Sequence, residues 1–197
     1  MLTFDQAAHV YHWNGQRVPN VTSIISHLTD YSRIPPDKLE IARQKGTHVH
    51  SMVELDCKGT LDEDELPEWM RPILAQWHLF VLQSGFRLIA SEKRVYHSVY
   101  GYAGTLDLYG ELTHAKTFAF IDIKRSFLAG KVIGMQLAAY RDGYVNQESD
   151  KAAKKAQRWA LRLNENSPYR MEQYTDEAQF QDFLTCLAHQ RLKEKYA

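Results

Sequence analysis

The sequence predicts an α/β or α+β protein, with a mixed central β-sheet flanked by helices and preceded by a hairpin and helices. Two observations lead there. Segments of helical spacing come first, followed by a run of strand-like segments, one helix, two more strands and a last helix, an order that fits a sheet covered by helices. At 197 residues, 44% hydrophobic and 24% charged, the chain is long enough for one substantial core. A single domain over 1–197 is expected, with 1–85 forming the hairpin and first helices and 86–197 the main sheet and its flanking helices.

Each element has a local signal. In HVYHWNGQRV, Asn14-Gly15 suits the positive φ angles of a tight turn between two strands. VPNVTSIISHL begins a short helix capped by Asn20 or Thr22. After Pro35-Pro36 a longer helix is expected over about residues 37–57, which Gly46 bends or interrupts. LDEDELP is a solvated connection, and Trp69, Ile73, Trp77 and Phe80 then form a helical apolar stripe, read as core rather than as a base-stacking surface. FRLIASEKRVYHSVYGYAGTLDLYGEL supplies two strands, TFAFIDIKRS a third, and VIGMQLAAYRDGYVN the helix after them. Two strands joined at Asn166-Ser167-Pro168 and a helix from about Asp176 to Lys195 close the chain.

One part of this pattern needs a partner. Asp107, Asp122 and Lys124 sit on strands among residues that belong in a core, and an unpaired charge taken out of water costs several kcal/mol. On a strand, residues two apart share a face, so Asp122 and Lys124 project together while Ile121 and Ile123 pack on the other side. The second Asp-x-Lys, Asp56-Cys57-Lys58, ends a helix, where the same spacing points to different faces. Asp107, between Leu106 and Leu108, lies on a strand expected to pair with that of Asp122. Strands about 4.8 Å apart let two carboxylates share a hard divalent cation, Mg²⁺ or Mn²⁺. Lys124 beside them can neutralise a phosphate and polarise or deprotonate a water.

Composition narrows the classes. Lys plus Arg and Asp plus Glu both number 24, so attraction to a polyanion has to come from local patches and metal ions. Cys57 and Cys186 are far apart, which argues against a zinc site or a four-cysteine iron–sulfur cluster and for reduced, buried thiols. The first residues lack a signal-peptide pattern, and no apolar run could span a bilayer, so no membrane association and a cytoplasmic location are expected. Neither G-x-x-x-x-G-K-[ST] nor a serine nucleophile elbow occurs.

GYAGTLDLYGEL, then FIDIKRS, then GMQLAAYRDGY resembles the PD-(D/E)XK nuclease superfamily, and within it the RecB-type and phage-type exonuclease branch. Asp107 matches that family's G-x-x-D position, with Leu106 where the superfamily's name residue Pro would stand. Asp122 and Lys124 match acidic-x-Lys, and Gln136 and Tyr140 match Gln-x-x-x-Tyr. KGTHVHSMVE resembles the branch's G-x-x-x-H element, aligning Gly46 and His50, and the N-terminal HVYHWNGQRVPNVTSII resembles the opening of related phage nucleases.

The resemblance implies a restriction-endonuclease-like core and a DNA exonuclease that hydrolyses phosphodiesters with a metal-activated water, working in phage or bacterial DNA recombination, replication or processing. It implies that His50, Asp107, Asp122 and the backbone carbonyl of Ile123 hold Mg²⁺ or Mn²⁺, with Glu54 and Glu92 as further candidate ligands. Lys124 would activate the water, and Gln136 and Tyr140 would orient Lys124 or touch the DNA backbone; Arg125, Ser126 and Lys131 are further DNA-contact candidates. Linear DNA ends are the expected partner, with a separate helicase or a single-strand annealing or binding protein supplying unwinding.

Plainer readings stand beside these. Asp122 and Lys124 could be an ordinary ion pair. His48 competes with His50 for the ligand role, and Gln136 and Tyr140 could be a polar helix face. KAAKKAQR at 151–158 could track phosphates or be a solvated turn, and Tyr100 and Tyr102 could stack on a nucleotide or edge the core. A site-specific or structure-specific endonuclease on the same core, or a nucleic-acid-binding protein without catalysis, are the rival functions.

Overall fold

The computed structural model describes residues 1–6, 8–125 and 130–196. Three short strands open the chain, β1 (Leu2–Asp5), β2 (Val10–Trp13) and β3 (Gln16–Val18), forming an antiparallel sheet in that order. Asn14 (φ 50°) and Gly15 (φ 81°) make the expected left-handed turn between β2 and β3. Strand β1 is additional to the expected hairpin; four residues were too short a stretch to announce it.

Helix α1 (Val21–Ile25) is capped by Asn20, whose side chain accepts the Ser23 N–H at 2.8 Å. Helix α2 (Pro36–Cys57) starts on the proline pair and runs through Gly46 without a break. A helical glycine costs only about 1 kcal/mol against alanine, and burial of Val49, Met52 and Val53 on the next turns outweighs it. Trp69 lies in a 3₁₀ turn just before α3 (Arg71–Ser84), while Ile73, Trp77 and Phe80 form the buried stripe. Gly85, left-handed at φ 62°, ends that helix against Thr113, where a side chain has no room.

The main sheet has the order β4-β5-β6-β7-β8: β4 (Phe86–His97), β5 (Tyr102–Leu112), β6 (Thr117–Lys124), β7 (Gln157–Asn164) and β8 (Ser167–Gln173). All neighbours are antiparallel except β6 and β7. A parallel pair needs a crossover, provided here by α4 (Lys131–Glu148) and the short α5 (Lys151–Lys154). Helix α6 (Gln179–Tyr196) closes the chain. The result is a mixed five-stranded sheet with helices on both faces.

One face packs Leu106, Tyr109 and Phe120 against Ile24, Leu137, Tyr140 and Phe183 from α1, α4 and α6. The other packs Leu108, Ile121, Ile123 and Leu161 against Val49, Met52, Trp77 and Phe80 from α2 and α3. Residues 151–158 do not form a uniform solvated patch. Asp150 caps α5 by accepting the Ala152 N–H, and Arg158 is buried, donating to the carbonyls of Gly134 and Asp176 and to Gln179 Oε1 at the start of α6. Tyr100 lies in a turn rather than on a strand, and Tyr102 is buried with its hydroxyl on the Ala139 carbonyl, in the core reading rather than the stacking one. Cys57 and Cys186 are free thiols but only half-buried, because each sits on a helix flank. No helix among the described residues is long and apolar enough to cross a membrane.

Candidate active site

Strand register builds the site. The β5–β6 ladder runs from Leu112–Thr117 to Leu108–Ile121, and one step beyond it Asp107 and Asp122 stand opposite each other. On the other side of β5, Ser91 pairs with Leu108 and Lys93 with Leu106, which sets Glu92 opposite Asp107. Glu92, Asp107 and Asp122 therefore form one row across adjacent strands. Glu92 adopts φ 44°, an uncommon left-handed conformation for a residue with a side chain.

The row is deeply placed. Asp107 is 9% exposed and Asp122 1%. Asp107 Oδ2 accepts the Ile123 backbone N–H at 2.7 Å, so its side chain takes the place of a ladder partner where β5 and β6 part. Lys124 Nζ lies 2.6 Å from Asp122 Oδ2, a close charge contact. The other oxygen, Asp122 Oδ1, has no hydrogen-bond partner, which leaves a buried carboxylate under-satisfied.

Helix α2 brings His50 over this row. Its Nε2 is 3.0 Å from the Ile123 carbonyl, and its Nδ1 faces Asp107 Oδ2 at 3.5 Å and Glu92 Oε1 at 3.6 Å. His48, exposed on α2, lies instead beside the Trp69 ring. From α4, Gln136 Nε2 donates to the Tyr140 hydroxyl at 3.1 Å, one helical turn apart. Tyr140 packs so closely on Gly104 of β5 that a side chain there would meet its ring at 2.6 Å. Tyr11 from β2 closes the chamber, with its hydroxyl 2.7 Å from Thr105 Oγ1.

Electrostatics follow from burial and crowding. Burial raises the pKa of Asp122 to about 6, with Lys124 opposing and Asp107 adding to the rise. Burial likewise raises Asp107, against the pull of His50 and Lys124. Burial alone would lower His50, but the charge of Asp107 and the contact with Glu92 lift it to about 9. Lys124 stays above its ordinary value because Asp122 and Asp107 outweigh its desolvation.

The side chains fit a divalent cation. One ligand atom each from His50, Glu92 and Asp107 lie within 4.8 Å of one another, a mixed nitrogen and oxygen donor set. Asp122 and the Ile123 carbonyl border this group, the first opposite Asp107 across the strands and the second against His50 Nε2. A cation there would relieve the repulsion along the row and displace the proton from His50. Among the described residues, Glu54 is outside this group: its carboxylate is held by Lys58 one turn on, at 2.6 Å.

Other sequence candidates are placed differently. Arg125 Nη2 donates to both oxygens of Glu165, at 2.8 and 2.6 Å, and Lys45 approaches the same carboxylate at 3.3 Å. Lys131 is exposed at the start of α4, and Ser126 lies outside the described residues. Tyr11 and Thr105 were not singled out from the sequence. Thr105 sits two residues before Asp107, where same-face spacing could have signalled it; Tyr11 comes from a distant strand and had no local signal.

No family model and no curated protein matches the chain. Among solved structures, the chain is similar to LHK-Exo in complex with dAMP, at 11% identity over 91% of this chain and 90% of that one, with a TM-score of 0.42. It is also similar to an alkaline exonuclease (LHK-Exo) from Laribacter hongkongensis, at 12% identity over 90% of this chain and 92% of that one, with a TM-score of 0.39.

Proposed function

We propose that this chain is a divalent-metal-dependent DNA nuclease, acting as an exonuclease on phosphodiester bonds. The observation that carries the reading is the pair of buried, facing carboxylates Asp107 and Asp122, with Asp122 Oδ1 lacking a hydrogen-bond partner and a lysine ammonium 2.6 Å from Oδ2. A stable core has no use for such an arrangement, because an apolar pair of similar size would cost less. The resemblance in sequence motifs and the order of three antiparallel strands, a crossover helix and a parallel strand support the same reading.

Each residue has a role that its surroundings allow. Glu92, Asp107 and His50 would hold Mg²⁺ or Mn²⁺, with Asp122 and the Ile123 carbonyl completing the site. When bound, such an ion polarises the phosphoryl group and shields developing negative charge. Lys124, kept cationic by its two carboxylate neighbours, donates a hydrogen bond to a water or to a phosphoryl oxygen from 26% side-chain exposure. Tyr140, fixed by Gln136 and by its packing on Gly104, presents its hydroxyl to the cleft and orients the substrate backbone. Lys131, exposed at the start of α4, would meet phosphates farther along.

The setting in bacterial or phage DNA recombination, replication or processing, with a helicase or annealing protein as partner, rests on the resemblance alone. Digestion of matched linear and covalently closed circular DNA with Mg²⁺, Mn²⁺ or EDTA tests the activity. Loss of linear DNA only, in the presence of metal, is expected. Cutting of circles would replace the exonuclease by an endonuclease, and no cleavage under any condition would end the nuclease reading.

A further inference from the structure

A wide groove lies beside the N-terminal sheet and reaches Glu92, at one end of the carboxylate row. It encloses about 1020 Å³, and among its walls are Phe4, Trp13, Glu92, Lys93, Arg94 and Tyr96. The inner chamber, about 260 Å³, contains His50, Asp107, Lys124 and Tyr140 and shares Glu92 and Thr105 with the groove. The two spaces therefore share walls beside the proposed metal ligands.

The chamber is roofed. The Ala103 N–H donates to the Pro19 carbonyl at 2.9 Å, Asn20 bridges to Ala103, and Tyr11 meets Thr105 at 2.7 Å, so the N-terminal segment is fastened along β5 beside Asp107. The chamber, at about 260 Å³, is too small to admit both strands of a duplex. A duplex cannot bring a phosphodiester to residues this deeply buried, whereas one extended strand can.

The groove wall has the surface such a strand needs. Trp13 and Tyr96 are stacked with ring centroids 4.2 Å apart and planes 13° apart, and both remain half-buried. Base stacking on aromatic rings is tolerant of sequence and is the common device of single-strand binding. Arg94 is exposed, lies 5.2 Å over the Phe4 ring and has no carboxylate partner among the described residues. Lys93, by contrast, is paired with Glu148 at 3.0 Å. Arg94 lies two residues from Glu92 on β4 and opposite Thr105, so an unpaired cation stands beside the acidic row, an arrangement that suits a polyanion led toward a bound cation.

We propose that this groove carries a single strand of nucleic acid to the active site, its bases stacking on Trp13 and Tyr96 and its backbone following Arg94. The inference rests on the nuclease reading and names its substrate form. A duplex would then be attacked only where an end is frayed or has been unwound.

The test uses fluorescence anisotropy in EDTA with a labelled dT 12-mer and a blunt hairpin duplex, on the wild type and on Trp13→Ala, Trp13→Phe and Arg94→Glu. Hydrolysis of bis(p-nitrophenyl) phosphate with Mn²⁺ is followed in parallel, since that small diester needs only the inner chamber. The dT 12-mer should bind more tightly than the duplex, and Trp13→Ala should weaken it by about 5- to 100-fold, with Trp13→Phe restoring most of the loss. Arg94→Glu should weaken it too and flatten its salt dependence, with the small diester turned over as in the wild type. Equal affinity for duplex and single strand, or unchanged dT affinity in Arg94→Glu, overturns the groove. Should Trp13→Ala melt early because the stack also pins the N-terminal sheet, Arg94→Glu decides alone. Failure of the wild type to hydrolyse either DNA or the small diester would instead sink the nuclease reading, while dT binding lost in Arg94→Glu would leave the groove standing.

Discussion

Asp107 Oδ2 accepts the backbone N–H of Ile123 at 2.7 Å, at the point where β5 and β6 stop pairing. One carboxylate thus closes the sheet and faces the candidate metal group, so its two tasks can be separated by substitution. Asp107→Asn keeps an oxygen acceptor for Ile123, and stability to urea should change little. Asp107→Ala leaves that buried N–H unpaired and should lose about 1–3 kcal/mol. Both should bind Mn²⁺ more weakly in titration calorimetry; unchanged affinity would remove Asp107 from the ligand set.

Lys124→Ala should abolish turnover while leaving DNA binding in EDTA within a few fold of wild type. Its ammonium contacts Asp122 and lines the chamber, whereas the groove surfaces are elsewhere. Retained activity in Lys124→Ala would refute the mechanism.

Glu92 and Glu54 make opposite predictions. Glu92 groups with His50 and Asp107, while Glu54 is tied to Lys58. At a hundredfold excess over its dissociation constant, a cation bound only by the folded state adds about 2.7 kcal/mol. Mn²⁺ should therefore raise the melting temperature of the wild type and of Glu54→Gln but much less that of Glu92→Gln. The reverse pattern would move the site toward α2.

Gly104→Ala places a methyl group 2.6 Å from the Tyr140 ring and 3.1 Å from Val21. Neither neighbour is free to retreat in a packed interior, so the variant should lose stability and misplace Tyr140. Activity should fall at least as far as in Tyr140→Phe, measured on the same linear DNA. A fully active Gly104→Ala would show that the position of Tyr140 is unimportant.

Acid stability has a marker away from the metal group. Burial pushes Glu165 up, yet its own backbone N–H and the hydrogen bonds and charges of Arg125 and Lys45 hold it at about 2. Its folded pKa is therefore below its unfolded value of 4.5, so its contribution is complete above about pH 4.5 and disappears as the pH falls through 2. Urea midpoints in EDTA should show Glu165→Gln less stable than wild type at pH 6, with the gap closing toward pH 2. A gap independent of pH would mean that the carboxylate is not held by these cations.

Much of the site was legible because strand geometry is local. Asp122 and Lys124 share a face as spacing by two requires, and Ile121 and Ile123 fill the opposite core. The helix after β6 carries Gln136 and Tyr140 on neighbouring turns, and the Asn14-Gly15 turn formed as composition dictated. Gly46 misled because intrinsic propensity is small beside burial of the helix face. Arg158 misled because a cationic stretch contains one residue whose guanidinium is needed to hold carbonyls in the interior.

What the sequence by itself determined was the kind and order of the elements and the pairing of charge with strand period, since these depend on residues a few positions apart. Only the tertiary structure decided that Glu92 joins Asp107 and Asp122 in one row. That outcome depends on register across β4, β5 and β6, which is set by an irregularity between Leu88 and Ala90 and by the end of pairing after Leu108–Ile121. The roof of Tyr11 and Asn20 over the chamber likewise comes from residues 94 and 83 positions away from their partners on β5. Contacts between segments so distant in the chain are chosen by packing of the whole core, and no local pattern encodes them.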